Sequence, residues 1–552
     1  MTIRLGRRAV LAGAAAASAA ACAPHALTPR RAKNVLLIVA DDVGFTDLGI
    51  YGSEIPTPNL DRLAMQGTWF SDLHTGMTCS PTRAMLMSGV DHHLSGLGNM
   101  AEDLAPNQKG RPGYEGYLNF SVASLPEILR TAGYRTFMAG KWHLGMTPET
   151  VPSARGFDRS FTMLQGGAGH FANMMPMVGP GKARYARDGK PVAELPDDFY
   201  STKNFTDEFL AFLDEGDRQA PFFGYLAYTA PHWPIQAPRE SIDAFRGAYD
   251  TGYDDLLDSR LAAGKRAGVI PENATAAPRA PHGVPWSELP GDEKAREARR
   301  MEAYAAMVSD LDRHLGRVID RLAATGQLDD TLILFLSDNG YEGHDMRSGF
   351  PEAAQWSQEC CDNSLENIGA PNSYVWMGPD WSRASTAAYR LFKGFPTEGG
   401  TRVPAIVRMP GVAGTGLNHG RVHVTDLFAT MLDWTGVPFD PAKFPDRKLH
   451  RPSGSSLLPV LTGMSPAIHP AGEAFVQELF GKRAIRVANW KAMLLPPPYG
   501  TGQWQLFDLN TDLAETTDLA AGEPAVLARL VAQWDNWAQT HNIILPDVVT
   551  GY

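Results

Sequence analysis

Continuous runs of apolar residues mark the predicted strands of this chain. Residues 34–40 and 331–336 are the two strongest runs, and neither alternates with polar positions. Such runs are typical of strands that are buried on both faces of a sheet. Weaker candidates of the same kind lie at residues 134–139, 222–228 and 403–408. These runs predict a sheet at the centre of the fold.

Helices are predicted between these runs from their start and stop signals. One runs from Thr57-Pro58 to Met65, a second begins at the capping box Ser124-Leu-Pro-Glu127, and a long charged one covers residues 291–325. Because strand and helix patterns alternate along the chain, the predicted fold class is α/β, with a doubly wound, mostly parallel sheet.

Two stretches depart from this alternation. Residues 341–390 are long and polar, and we expect them to lie outside the hydrophobic core as a lid or a surface insertion. After residue 465 the pattern changes to short strands at 484–487, 490–494 and 504–509, which predict a small domain with an antiparallel sheet. The expected organisation is a signal segment and linker (1–33), a catalytic domain (34–465) and a C-terminal α+β domain (466–552).

The first residues are typical of an export signal. Arg4, Arg7 and Arg8 precede a run of small and apolar residues at 9–21, which is too short to span a bilayer. The Arg7-Arg8 pair resembles a twin-arginine signal, so we expect the export machinery to deliver the protein to the periplasm. Two alternatives for the cleavage region stay open: a lipid anchor on Cys22, or a cut near residues 21–23. We expect no transmembrane span in the mature protein.

Composition narrows the choice of function. The 552 residues include 50 basic and 61 acidic side chains, a formal net charge of −11. A chain this acidic offers no general attraction for nucleic acid, so an anionic substrate must meet a local positive cluster. Four cysteines in such a long chain exclude a disulfide scaffold. We interpret the neighbouring Cys360 and Cys361 as part of a surface loop.

Polar and charged residues follow the predicted strands at their carboxyl ends, where open parallel sheets bind ligands. They are Asp41-Asp42, Asp338-Asn339, Lys141 with His143, and His232, while Lys393 precedes the 403–408 strand.

Four of these side chains could bind a metal ion through oxygen. Asp41, Asp42, Asp338 and Asn339 offer the hard ligands that Ca²⁺ and Mg²⁺ prefer, and no cysteine–histidine spacing suited to zinc is present. Each pair alone is more often a loop cap or a turn. Their joint position after the two strongest strands favours a metal site.

The run Cys79-Ser-Pro-Thr-Arg83 carries the most information. Pro81 predicts a helix that begins near Cys79, which places Cys79 and Arg83 on one helix face. The helix N-terminus adds positive potential for an anion. From the residues alone, Cys79 is either a buried free cysteine or a thiolate nucleophile of low pKa.

This run resembles the signature of the type I, formylglycine-dependent sulfatases. Residues 133–143, Gly-Tyr-Arg-Thr-Phe-Met-Ala-Gly-Lys-Trp-His, resemble the second signature of that family. The similarity extends from Asp41-Asp42 to residues 506–509, and it is greatest to bacterial arylsulfatases. The resemblance implies the alkaline-phosphatase-like α/β fold.

The resemblance also implies a mechanism. A formylglycine-generating maturation enzyme would oxidise Cys79 to an aldehyde, whose hydrate attacks the sulfur of a sulfate ester and then releases sulfate. Arg83 and His143 would assist the hydrate, and Lys141, His232 and Lys393 would bind the sulfate, with His232 or Lys393 protonating the leaving oxygen. The family's Ca²⁺ would be held by Asp41, Asp42, Asp338, Asn339 and the modified Cys79, and Asp338 would also accept a proton.

Three functions therefore compete. The first is hydrolysis of a small-molecule sulfate ester, with an aryl, alkyl or sugar leaving group. The second is hydrolysis of phosphonate monoesters or phosphodiesters, which needs a similar cationic clamp. The third is a non-enzymatic, exported calcium-binding surface protein, which would need neither the lysines nor the histidines.

Overall fold

The computed structural model describes residues 33–217 and 219–549. The predicted signal segment and Cys22 lie outside the described residues. No helix in the described part of the chain is long and apolar enough to cross a membrane.

Strands and helices alternate through most of the described residues. The strands are β1 (Asn34–Ala40), β2 (Thr68–Phe70), β3 (Leu73–His74), β4 (Arg135–Lys141), β5 (Arg159–Met163), β6 (Tyr185–Arg187), β7 (Lys190–Val192), β8 (Phe222–Ala227), β9 (Thr331–Ser337), β10 (Ala405–Arg408), β11 (Gly416–Asn418), β12 (Val422–His423), β13 (Ala474–Leu479), β14 (Lys482–Val487), β15 (Trp490–Leu494) and β16 (Trp504–Asp508). The α-helices are α1 (Pro58–Met65), α2 (Cys79–Ser88), α3 (Leu125–Thr131), α4 (Ser201–Asp214), α5 (Arg239–Asp243), α6 (Tyr253–Arg266), α7 (Gly291–Ala324), α8 (Met346–Gly349), α9 (Pro351–Cys360), α10 (Pro379–Thr386), α11 (Glu398–Thr401), α12 (Val424–Thr435), α13 (Leu458–Leu461) and α14 (Pro524–Thr540).

The main sheet has the order β11-β2-β10-β9-β1-β8-β4-β5-β6-β7. Its central strands, from β9 through β1, β8 and β4 to β5, are all parallel. Strand β10 pairs antiparallel with β9, and the hairpin of β6 and β7 is an antiparallel edge. The predicted α/β class with a mostly parallel sheet is confirmed.

The apolar run from Val35 to Ala40 in β1 explains why this strand lies at the centre. Leu36 and Ile38 belong to one hydrophobic cluster, while Val35, Leu37 and Val39 belong to a second. Successive side chains of a strand point to opposite faces, so β1 supplies both layers of core. A strand buried in this way has no polar face, as its continuous apolar run predicted.

Helix starts follow the predicted signals with one difference. At α3 the capping box is confirmed, because the Ser124 hydroxyl accepts from the Glu127 N–H and Glu127 Oε2 accepts from the Ser124 N–H. Helix α1 begins at Pro58 as predicted, but the Thr57 hydroxyl accepts from the Gly49 N–H instead of capping the helix.

The expectation that residues 341–390 lie outside the core is wrong. Tyr341, Ile368, Tyr374 and Trp381 are buried and join the larger hydrophobic cluster. Single large apolar residues separated by Asn, Ser and Gly give no helical or strand period, so the pattern did not reveal them. In this segment Cys360 is the last residue of α9 and is joined to Cys361 by a disulfide bond.

The predicted antiparallel sheet near the C-terminus is confirmed. Strands β13, β14, β15 and β16 pair in that order, and every pairing is antiparallel. Strand β13 is an addition to the prediction. The boundary at residues 465 and 466 stays a prediction.

Candidate active site

Four parallel strands end at one edge of the main sheet, and charged side chains follow each of them. They are Asp41 and Asp42 after β1, Asp338 and Asn339 after β9, Lys141 at the end of β4, and His232 in the loop after β8. The chain order had placed these residues up to about 300 positions apart, and the shared edge of the sheet brings them together.

Three buried carboxylates converge at this edge. Oxygen atoms of Asp41, Asp42 and Asp338 lie within 4.8 Å of one another. Asn339 Nδ2 donates to Asp42 Oδ1 at 2.6 Å, and the buried Asn339 Oδ1 has no hydrogen-bond partner. An unpartnered buried oxygen in a native protein points to an ion or a water. The candidate ligand atoms are all oxygen, so the residues present fit a hard cation such as Ca²⁺.

Each carboxylate is paired with a buried cation. Lys141 Nζ lies 2.8 Å from Asp41 Oδ2, and Lys393 Nζ lies 3.0 Å from Asp42 Oδ1. Arg83 contacts Asp338 Oδ2 through Nε at 2.9 Å and Nη2 at 2.7 Å. The three carboxylates are thus matched by three cationic side chains, and a bound divalent cation would add positive charge for an anionic substrate.

The neighbouring carboxylates differ in their electrostatics. Burial acts to raise the pKa of Asp41, but Lys141 and Arg83 outweigh it and hold that pKa below its usual range. Burial raises the pKa of Asp42 to about 8, because Lys393 offsets only part of the desolvation and Asp41 adds repulsion. The neighbouring cations therefore stabilise the charged form of Asp41 more than that of Asp42.

Cys79 is the first residue of α2 and lies at the floor of a cavity. Its sulfur lies within 4.8 Å of ligand atoms on Asp41 and His232. Burial raises the pKa of the thiol to about 12, so the interpretation of Cys79 as a thiolate of low pKa is wrong.

Arg83 lies one helical turn beyond Cys79 and fixes α2 to the sheet. Besides its hydrogen bond from Nε and its ion-pair contact with Asp338, its Nη1 donates to the Lys141 backbone oxygen at 3.0 Å. These bonds join α2 to the ends of β9 and β4. The guanidinium is fully buried and cannot reorient freely, which suits a group that orients the side chain at residue 79.

His143 lines the same cavity and has an acidic partner. Its backbone adopts a φ of 57°, and its Nε2 lies 3.0 Å from Glu102 Oε1. Burial acts to raise the pKa of Glu102, but His143 outweighs it and holds that pKa at about 2. Sequence analysis missed Glu102, because it lies in a short turn that carries no motif.

His232 presents one ring nitrogen to the site. Its Nδ1 donates to the Trp233 backbone oxygen at 2.6 Å, which leaves Nε2 3.7 Å from Asp42 Oδ2. Burial, with Lys393 and Lys141 nearby, holds the pKa of His232 well below its usual range. The ring is therefore neutral and can exchange a proton at Nε2.

Lys393 has a second acidic neighbour that sequence analysis missed. Glu342 Oε2 lies 3.5 Å from Lys393 Nζ. Glu342 follows Asp338, Asn339 and Gly340 on the same loop after β9, so its position at a strand end was the signal that could have found it. The site contains all the predicted residues and these two additional carboxylates.

A cavity of about 850 Å³ opens above these residues and is lined by Cys79, His143 and His232. Cys79 and the two histidines therefore face one partly open cavity. The buried Lys141 lies beside Cys79, since its partner Asp41 is next to the sulfur. An ester that enters the cavity can place its anionic head at the strand ends and the rest of its body in the cavity.

Comparisons with known proteins agree with this geometry. The family profile described as Sulfatase matches residues 33–437. An uncharacterized sulfatase of Schizosaccharomyces pombe is 44% identical over 529 residues, which cover 93% of this chain and 95% of the relative. An arylsulfatase of Klebsiella aerogenes is 34% identical over 455 residues, which cover 81% of this chain and 94% of the relative.

Solved structures share the fold over the same length. The structure of Ps i-CgsB in complex with k-i-k-neocarrahexaose aligns with a TM-score of 0.65 and 25% identity, over 92% of this chain and 93% of the other. The phosphonate monoester hydrolase of Agrobacterium radiobacter aligns with a TM-score of 0.55 and 20% identity, over 92% and 96%. The second similarity shows the fold alone.

Proposed function

This chain belongs to the sulfatase family, and from that premise we propose that it hydrolyses aryl sulfate esters through a formylglycine at position 79 and a bound Ca²⁺. The convergence of Cys79, three buried cations and three buried carboxylates at one edge of the sheet, beside the cavity that Cys79 lines, carries this proposal. Family membership supports the coarser statement that the protein is a sulfuric ester hydrolase.

The positive side chains bind and orient the sulfate group. Lys141 and Lys393 present ammonium groups at the strand ends, where two carboxylates hold them in place. When bound by Asp41, Asp42, Asp338 and Asn339, Ca²⁺ would polarise a sulfate oxygen and the group at residue 79. In a buried site such charges act at low dielectric and stabilise the charge that develops on the sulfate oxygens.

Residue 79 acts as the nucleophile once its thiol has been oxidised. One hydroxyl of the hydrated aldehyde forms the new oxygen–sulfur bond as the ester oxygen departs, and the second hydroxyl expels sulfate and restores the aldehyde. Arg83 orients the hydrate from the same helix face. His143, held by Glu102, lies against the same cavity and can accept the proton released when the hydrate collapses.

The leaving oxygen needs a proton from a group on the other side of the site. We assign this role to His232, through Nε2, or to Lys393, through Nζ, since both atoms lie near Asp42. His232 must first gain a proton, because burial and the nearby lysines favour its neutral form. Binding of an anion beside the ring favours the protonated form and prepares it to act as the acid.

The proposal is tested by measuring sulfate release together with the state of residue 79. Turnover of 4-nitrophenyl sulfate should rise in proportion to the fraction of protein whose Cys79 is an aldehyde or its hydrate, as measured by peptide mass spectrometry. Fully active protein that retains only the thiol would contradict the mechanism. Phenyl phosphonate monoesters and phosphodiesters, assayed beside the sulfate, separate this function from the phosphorus-ester alternative.

We further propose that the enzyme works outside the cytoplasm. The Arg7-Arg8 pair and the apolar run after it support this location, and the maturation enzyme and the export machinery are the partners it requires. Cys22 stays the candidate for a lipid anchor.

A further inference from the structure

The cavity above Cys79 has a mostly apolar wall. Its apolar lining includes Leu97, Met100, Met146, Leu164, Met177 and Phe350. A volume of about 850 Å³ lies in the upper part of the range of ~300–1,000 Å³ that is typical of sites for drug-sized ligands. The sulfate head fills only the end near the catalytic residues, so most of this volume is left for the leaving group.

We propose that the natural substrate is a monosulfate ester of a bulky, uncharged, apolar alcohol or phenol. This inference rests on the proposed sulfatase function and adds to it the class of leaving group. Apolar surface on the leaving group would be removed from water by the apolar wall, and this burial is the largest binding force that such a wall offers.

Two side chains at this cavity are exposed although they are large and apolar. Met146 and Val178 line the cavity with exposed fractions of 44% and 45%. Exposed apolar residues gathered at a concave site mark a surface that a ligand covers. Both side chains can bury further apolar area when a leaving group extends past the catalytic end of the cavity.

Thr147, Thr150 and Gln165 in the wall are already hydrogen-bonded within the protein. The hydroxyls of Thr147 and Thr150 lie 3.0 Å apart and bond each other. The Gln165 amide donates to the Gly167 oxygen at 3.2 Å and accepts from the Arg184 N–H at 2.7 Å. These groups are therefore poorly placed to hydrogen-bond a sugar. The hydroxyls of a sugar would lose their bound water on entering the cavity without gaining hydrogen bonds from these groups.

The charges in the lining disfavour a second anionic group. Glu102, Asp103 and Glu352 line the cavity, against one arginine, Arg184. Glu102 is held in its anionic form by His143. A leaving group that carries a further sulfate or carboxylate would meet this negative lining, whereas an uncharged apolar body would not.

Flexible side chains allow this wall to fit more than one shape. Met100, Met146 and Met177 are unbranched thioethers, which adapt to irregular apolar surfaces. We therefore expect selectivity for apolar bulk and not for one ring system.

The test is a series of 4-ethyl-, 4-butyl- and 4-hexylphenyl sulfates, whose phenols differ little in acidity. Each buried methylene contributes about 0.8 kcal/mol, which corresponds to about fourfold in kcat/KM. With partial burial at the mouth, kcat/KM should rise about 10- to 200-fold from ethyl to hexyl. Glucose 6-sulfate should be turned over far more slowly than any member.

The proposed sulfatase function and the leaving-group inference can be contradicted separately. If protein with a verified aldehyde at residue 79 hydrolyses neither 4-nitrophenyl sulfate nor any other sulfate ester, the proposed function is wrong. If it hydrolyses 4-nitrophenyl sulfate but shows no dependence on chain length, or prefers the sugar sulfate, only the leaving-group inference is wrong.

Matched variants connect the effect to the wall. Met146→Gln and the nearly isosteric Val178→Thr should each lower the hexyl-to-ethyl ratio of kcat/KM by about threefold or more. Met65→Gln changes a methionine that is 68% exposed and does not line the cavity, and it should leave the ratio unchanged. If Met146→Gln and Val178→Thr kept the same hexyl-to-ethyl ratio as Met65→Gln, the apolar wall would not be the binding site of the leaving group.

Discussion

Cys79 is the residue on which the proposed chemistry depends, and two substitutions separate its roles. Cys79→Ala removes the nucleophile, and we expect turnover to fall on the order of 10³-fold or more. Cys79→Ser should also fail to turn over, because a serine ester of sulfate has no second hydroxyl to expel the product. Intact-mass measurement should show a stable sulfate adduct on the serine variant and none on the alanine variant. Multiple turnover by Cys79→Ser would contradict the need for an aldehyde hydrate.

Asp42 is the residue that best tests the proposed metal site. Asp42→Asn keeps the side-chain shape but removes one negative charge from the oxygen cluster, so bound calcium and turnover should fall together. Elemental analysis and sulfate release on the same samples measure both.

Asp312→Asn is the matched control. Asp312 is equally buried, but it accepts from the backbone N–H groups of Asn59 and Leu60 at the start of α1, away from the site. It should retain the metal and the activity. Stoichiometric zinc with no calcium in the wild-type protein would overturn the calcium assignment.

At the scale of elements, a buried ion pair joins the C-terminal sheet to the rest of the fold. His93, in the segment after α2, lies 2.9 Å from Asp91 Oδ1 and 2.9 Å from Glu478 Oε2 on β13. Burial acts to lower the pKa of His93, but the hydrogen bonds that its ring donates to Asp91 and Glu478 outweigh burial and raise that pKa to about 9. The charged ring therefore stabilises the folded state.

This pairing predicts a loss of stability in alkali. The contribution of His93 is fully present below its unfolded pKa of about 6.5 and is lost as the pH rises through about 9, up to about 3 kcal/mol in total. His93→Gln should unfold more easily than the wild type at pH 6, and the difference should shrink towards pH 10.

Thermal unfolding across this pH range measures the effect. His314→Gln is the control, since burial, with Arg313 and Arg317 nearby, lowers the pKa of His314 to about 4 and its charge does not change above pH 6. A difference for His93→Gln that does not vary with pH would show that the ring is not charged in the folded protein.

The elements that could be predicted are those whose local pattern matches their environment. Strand β1 is buried on both faces and is apolar from Val35 to Ala40, and α3 carries its capping box in the sequence. Strand β13 was missed because its sequence mixes Phe and Val with Gln and Glu, and only two of its six residues are buried. Its pairing with β14 is a tertiary property that a short window of sequence does not contain.

The residues of the candidate site likewise divide into those that a local pattern predicts and those that only tertiary structure brings into place. Residues at strand ends, such as Asp41, Asp338 and His232, were predicted because a parallel sheet gathers its carboxyl ends at one edge. Glu102 was not, because it reaches His143 from a turn that only the folded chain places there. The buried apolar residues of 341–390 were missed for a similar reason, since long-range packing and not local periodicity holds them.

For the whole molecule, the net charge is negative, while three positive side chains are buried at the candidate site. The chain is acidic, with a net charge of −11, but Arg83, Lys141 and Lys393 are concentrated at the buried edge of the sheet. The overall charge therefore does not attract an anionic ester, and the local cluster must do so at short range. Added salt should change the binding of small sulfate esters only weakly, because buried charges are little screened.

Export can be tested on the full chain by changing the arginine pair. The proposed order is oxidation of Cys79 in the cytosol, then folding around the buried site, then transport of the folded enzyme. Replacing Arg7 and Arg8 by lysine should leave an active enzyme in the cytosol with its signal segment attached, as cell fractionation, immunoblotting and sulfate release would measure. Arg4→Lys, which changes an arginine outside the pair, should be exported normally. Export of the Arg7→Lys, Arg8→Lys variant at the wild-type level would show that the twin-arginine route is wrong, while an unchanged location of Cys22→Ala would exclude the lipid anchor alone.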